Sequence, residues 1–111
     1  LEDVILLETS KALDKRYKVC KLQFASGEFD MVVYDREANQ CAAFEIKHSR
    51  QAVLEQARHL RDAEKCALTE RRFGKLVGRY VLYLGQTREI EDGITYRNAE
   101  EFLKELPAIR L

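Results

Sequence analysis

Three polar side chains fall at spacings that would let them share a metal-dependent reaction. In residues 28–35 (EFDMVVYD), strand alternation sets Glu28, Asp30, Val32 and Tyr34 on one face. In residues 41–47 (CAAFEIK), Ala43, Glu45 and Lys47 share a face, while Ala42, Phe44 and Ile46 read as core. Asp30 and Glu45 can therefore lie side by side on adjacent strands, with Lys47 two positions further along. Two carboxylates and an ammonium are what a magnesium site for phosphodiester cleavage needs. The carboxylates hold the hard cation and waters fill its other positions. The cation stabilises phosphate charge and lowers the pKa of an attacking water. The lysine orients that water and offsets charge on the phosphate. The competing reading is a surface ion pair of Glu45 with Lys47, which contributes roughly 0–1 kcal/mol.

Two helical positions add to the set. Val4, Glu8 and Ala12 recur at i, i+4 and i+8 beside Ile5, so Glu8 interrupts an apolar stripe. An acid there reaches a buried polar site or extends to a base such as Lys11 or Lys15. Further on, a helical wheel places Ala52, Val53, Leu60, Ala63 and Ala67 on one face, with Gln56 near its middle. A glutamine facing a sheet needs hydrogen-bond partners, and bonding to strand backbone would satisfy it. His48 and His59 lack paired spacing and read as edge or surface residues; Tyr80, Tyr83 and Tyr96 read as packing.

The elements that must position these groups follow from pattern. Residues 2–15 predict a helix with Glu2 and Asp3 at its positive end and Lys11 and Lys15 at the other. Residues 17–24 alternate with a phase slip, which predicts a bulged strand, and 25–27 a tight turn. Strands at 28–35 and 41–47 with a turn at 36–40 make an antiparallel meander. Ser49 caps a long helix over 50–72 that ends at Gly74. An apolar strand at 77–84 reads as buried on both faces. A polar loop at 85–93, a short strand at 94–96 and a helix at 99–106, capped by Asn98 and stopped by Pro107, complete the chain. The order α-β-β-β-α-β-β-α implies an α/β fold with a mixed sheet flanked by helices. Arg50, Arg58, Arg61, Lys65 and Arg72 fall within about 80° on the long helix, which reads as a solvated face or a docking surface.

Composition bounds the rest. The 111 residues make one domain, 1–111, with a single core. Hydrophobic residues at 46% exclude a disordered tail. Nineteen bases meet nineteen acids, so no overall basic charge argues for nucleic acid. No apolar run approaches the ~18 residues of a membrane span, and no signal peptide is present, so no membrane partner is expected. Cys20, Cys41 and Cys66 are odd in number and widely spaced, which fits free thiols in a reducing, cytoplasmic setting. The chain starts at Leu1 inside a helical pattern and reads as a piece of a longer protein.

Glu8 on the first helix, Gly27-Glu28-Phe29-Asp30 leading into the second strand, and Phe44-Glu45-Ile46-Lys47 on the third resemble the PD-(D/E)XK nuclease superfamily. The Asp30 to Glu45 spacing and the α-β-β-β-α-β order, over most of the chain, are similar to it. Val81 to Gly85, Asp92 to Tyr96 and Asn98 to Leu106 resemble the C-terminal domain of prokaryotic AAA-type ATPases of unassigned function. The resemblance implies a restriction-endonuclease-like core and a Mg²⁺- or Mn²⁺-dependent nuclease acting on DNA. It also implies a covalently linked N-terminal P-loop ATPase, and leaves a homo-oligomer open. Asp30 and Glu45 would be metal ligands, with the Ile46 backbone carbonyl as a third. Lys47 would position or activate water, Glu8 would be the extra helix acid, and Gln56 would match a helical glutamine of some branches. Those branches carry a tyrosine four residues later, where this chain has Leu60. The alternative is a non-catalytic module of the same fold that binds nucleic acid, dimerises or docks on the ATPase.

Overall fold

The computed structural model describes residues 1–13, 15–52, 54–89 and 91–111; of Leu54 and Glu91 it describes the backbone. Alternating residues build three antiparallel neighbours first: β1 (Tyr17–Gln23), β2 (Glu28–Asp35) and β3 (Gln40–Ile46). The expected phase slip in β1 is a register shift between Cys20 and Leu22. The chain then crosses over through a 3₁₀ turn (Leu54–Ala57) and helix α2 (Ala63–Phe73) to β4 (Lys75–Tyr83), parallel to β3. A two-residue β5 (Arg88–Glu89) precedes β6 (Ile94–Asn98), which lies parallel to β4. The six strands form one mixed sheet in the order β1-β2-β3-β4-β6-β5. Helices α1 (Glu2–Ala12) and α3 (Ala99–Glu105) cover one face and α2 the other. The Cα radius of gyration, 12.9 Å, is that of a compact chain of this length, about 13 Å. Among the described residues no helix is long and apolar enough to cross a membrane.

Both faces of the sheet are buried, and each layer has its own core. Ile5, Met31, Phe44, Leu82, Phe102 and Leu106 fill the layer under α1 and α3. Phe29, Leu60, Phe73, Val81, Tyr83 and Tyr96 fill the other. In β4 only the carboxyl half is buried on both faces, because Lys75 and Val77 project to solvent. Tyr83 and Tyr96 pack edge to face and Tyr80 stacks on Phe44, as the packing reading expects. Cys20, Cys41 and Cys66 are free thiols.

The long helix over 50–72 does not form. Asp62 interrupts it: its carboxylate accepts the backbone N–H groups of Glu64 and Lys65 and starts α2 at Ala63, thirteen residues after Arg50. Helix α2 turns Lys65, Thr69 and Phe73 inward, and Ala63 and Ala67 outward. Ala57 and Leu60, just upstream, are buried; Val53 lies outside the described residues. The basic stripe dissolves with the helix. Arg61 pairs with Asp92, Lys65 with Asp62 and Arg58 with Glu55. Asn98 caps α3 as expected, accepting the N–H of Glu101, and the chain tightens into a 3₁₀ turn at Leu106–Ala108 around Pro107.

Gly74 ends α2 with φ at +100°, a region costly for L side chains. A Cβ there would press into the Asn39 carbonyl, which also accepts the Lys75 N–H. Gly74→Ala is therefore expected to destabilise the domain by about 2 kcal/mol or more, read as a lower urea midpoint. An unchanged midpoint would mean that the turn at 36–40 yields freely.

Candidate active site

The site forms where β2 and β3 part. Their main-chain pairing runs from Asp35↔Gln40 to Met31↔Phe44. One residue beyond, the Asp30 carboxylate takes over: Oδ2 accepts the Ile46 N–H at 2.7 Å. Meanwhile β3 stays paired to β4 through Glu45↔Val81 and Ile46↔Leu82, and the Lys47 N–H donates to the Leu82 carbonyl at 2.8 Å. The opening between β2 and β3 thus has rigid walls, and Asp30 and Glu45 meet inside it.

Their electrostatics follow from burial. Glu45 is only 2% exposed. Burial, and then the neighbouring Asp30 charge, push its carboxyl up to about 8, with Lys47 opposing. Asp30 is raised chiefly by burial, while the Ile46 N–H and a hydrogen bond from Glu45 pull it back. Burial of both carboxyls thus disfavours two bare carboxylates side by side and favours the protonated form of Glu45. Lys47 Nζ lies 3.6 Å from Glu45 Oε2. Glu45 Oε1 is buried and receives no hydrogen bond. A buried oxygen without a donor costs about 1–3 kcal/mol, and a cation would relieve it.

The helix acid beside this pair is not Glu8. Helix α1 buries Ile5 and Thr9, and Leu13 behind them, so Val4, Glu8 and Ala12 face solvent. Glu2, in the first turn, takes that place. Ligand atoms of Glu2, Glu28 and Asp30 all lie within 4.8 Å of one another. Lys21 of β1 bridges two of them, with Nζ 2.9 Å from Glu2 and 3.2 Å from Glu28, and both acids raise its pKa. Glu2 sits three residues before Ile5, on the flank of the buried face, which is the signal that identifies it. Lys21 had no comparable signal.

Gln56 belongs to the 3₁₀ turn at Leu54–Ala57, not to a long helix. It is half-buried and lines, with Lys47, Arg58 and His59, a cavity of about 410 Å³. His48 is exposed, as expected of an edge residue. His59 is half-buried instead: its ring fills the space a side chain at Gly27 would need. Burial, then Lys65, Arg58 and Lys47, lower its pKa, which favours a neutral imidazole. Ile46 reaches the carboxylates through its amide, and its side chain is core.

Among the described residues the acids that cluster here, Glu2, Glu28 and Asp30, offer carboxylate oxygens, a set that suits a hard divalent cation such as Mg²⁺ or Mn²⁺ better than zinc or copper. Compared with known proteins, the chain matches no family model, no curated protein and no solved structure.

Proposed function

We propose that the domain is a Mg²⁺-dependent nuclease of the PD-(D/E)XK kind that hydrolyses DNA phosphodiester bonds and works joined to a P-loop ATPase. The observation that carries the reading is the pair of buried carboxyls, Asp30 and Glu45, at an opened strand junction, with Lys47 Nζ 3.6 Å from Glu45 Oε2. The element order α1-β1-β2-β3-α2-β4 supports a restriction-endonuclease-like core. Asp30, Glu45 and the Ile46 carbonyl would hold the cation, with Glu2 beside them. Bound there, Mg²⁺ supplies positive charge to the phosphate oxygens and lowers the pKa of a coordinated water.

The chain's own groups do the rest. Glu45 would lose its proton on holding the cation, and Asp30 stays fixed by the Ile46 amide. Lys47, anchored to β4 through its backbone, directs Nζ at the attacking water and offsets charge on the phosphate. Gln56, across the same cavity, orients water by donating or accepting.

The test is cleavage of plasmid and single-stranded DNA with Mg²⁺ or Mn²⁺, comparing the wild type with Asp30→Asn. Cleavage that vanishes in the variant supports the assignment; equal cleavage by both overturns it. One observation favours a second reading, a non-catalytic nuclease-fold module that binds nucleic acid, dimerises or docks on the ATPase: Lys21 already bridges Glu2 and Glu28 and offsets part of their charge. Metal-dependent stabilisation without cleavage, in the full-length protein with ATP, would select it.

A further inference from the structure

A cavity of about 660 Å³ lies away from the carboxylates, at the carboxyl ends of β4 and β6. In open α/β sheets, ligands settle outside the carboxyl ends of parallel strands. Arg50, Gln51, Gly85, Gln86, Arg88 and Glu101 line it. Arg50 and Arg88 are exposed, and neither pairs with a carboxylate among the described residues, unlike Arg16, Arg58, Arg61 and Arg97. Among the described residues that line the wall, Glu101 is the acid. It accepts the Thr87 hydroxyl at 3.0 Å and sits in the first turn of α3, where the helix dipole offsets its charge.

The wall is built, not merely open. The Leu84 N–H donates to the Ser49 carbonyl at 2.7 Å, which ties the segment after Lys47 to the end of β4. Gly85 packs so closely on the Arg50 carbonyl that a Cβ would collide with it. Asn98 Nδ2 donates to the Gly85 carbonyl at 2.8 Å, and the Tyr83 hydroxyl donates to the Gln86 carbonyl. The two guanidinium groups are thus carried on segments braced against one another.

The geometry points to a phosphodiester-binding cleft: Arg50 and Arg88 take the backbone phosphates of the DNA strand whose scissile phosphate lies at Asp30 and Glu45. This inference rests on the nuclease reading for its substrate. The β2–β3 opening and the β4–β6 cleft are two strand spacings apart along one edge of the sheet, about 10 Å. Lys47 and Arg50 are three residues apart on the segment that joins them. A single strand crossing that edge would meet an ammonium at the cleavage position and paired guanidiniums a few nucleotides on. Arginine suits this, because its planar fork holds phosphate oxygens two at a time.

The experiment is fluorescence anisotropy of a labelled single-stranded oligonucleotide, in the Asp30→Asn background to suppress cleavage, across a salt series. Arg50→Ala with Arg88→Ala is expected to weaken binding at least about tenfold and to lower the salt slope by about 1.4. Arg50→Lys with Arg88→Lys keeps most of the slope, and an unchanged melting temperature shows that both pairs fold. Unchanged affinity and slope in the alanine pair, or no binding by the parent, overturns the cleft, even if the wild type cleaves DNA. If Asp30→Asn still cleaves while the alanine pair loses binding, the cleft stands and the nuclease assignment falls. Inorganic phosphate or a nucleoside monophosphate titrated into the same mixture separates the sources. Displacement of the oligonucleotide at low millimolar concentration would mark a small-anion pocket and overturn the strand path.

Discussion

Glu45→Gln is expected to stop cleavage and to stabilise the domain at once. The loss of activity, about a hundredfold or more, follows from removing a ligand and its charge beside the reacting phosphate. The gain in stability follows from linkage. The Glu45 carboxyl titrates at about 8 in the folded chain, against about 4.3 when unfolded. Between those values the unfolded chain releases a proton that the folded chain keeps. Stability is therefore full below pH 4 and falls as pH rises to 8. By pH 9 the penalty is on the order of 5 kcal/mol. Glutamine mimics the protonated acid and removes the pH dependence. Urea unfolding of both proteins without metal should coincide near pH 4 and diverge by pH 9, with the variant more stable. Added Mn²⁺ should raise the melting temperature of the wild type more at pH 8 than at pH 5, because metal and proton compete for the same oxygens. The variant should lose that shift. Curves that coincide at pH 9 would mean that Glu45 ionises freely, and the account of a carboxyl raised by burial would fail.

A contrast between two acids on one helix has the next largest effect. Glu2→Gln is expected to lower Mn²⁺ affinity and cleavage tenfold to a hundredfold, the usual cost of disturbing groups around a metal. Glu8→Gln should stay within twofold of the wild type. Glu2 lies with Glu28 and Asp30 inside 4.8 Å, whereas Glu8 faces solvent. A calorimetric Mn²⁺ titration of both variants reads the difference directly. A large loss at Glu8 with none at Glu2 would place the cation elsewhere.

The two acids also show where pattern stops informing. Val4, Ile5, Leu6 and Leu7 are four apolar residues in succession, so the inward direction of α1 has several equivalent phases. The tertiary fit chose Ile5 and Thr9, about 100° from the Val4–Glu8 line, and the acid changed with it. The strands were legible, because alternation has a fixed period and a slip moves every side chain to the wrong face. Asp30 and Glu45 were accordingly brought together as their faces required. The helical run over 50–72 divides at Asp62 for a local reason: an aspartate inside such a run can cap a second helix, and nothing upstream forbids it. His59 against Gly27 is a contact between distant segments, with no trace in either segment alone.

The sheet's two outer strands limit how this domain can assemble. On one side β5 is two residues long, both charged and exposed, too short to template another strand. On the other, β1 carries exposed Lys18 and Lys21 and a register shift at Cys20 to Leu22, which bends it away from a straight partner. Strand addition is thus discouraged at both rims. A second copy, or a neighbouring domain, has to meet this one through helices and loops, which leaves the opened junction between β2 and β3 out of any continuous intermolecular sheet.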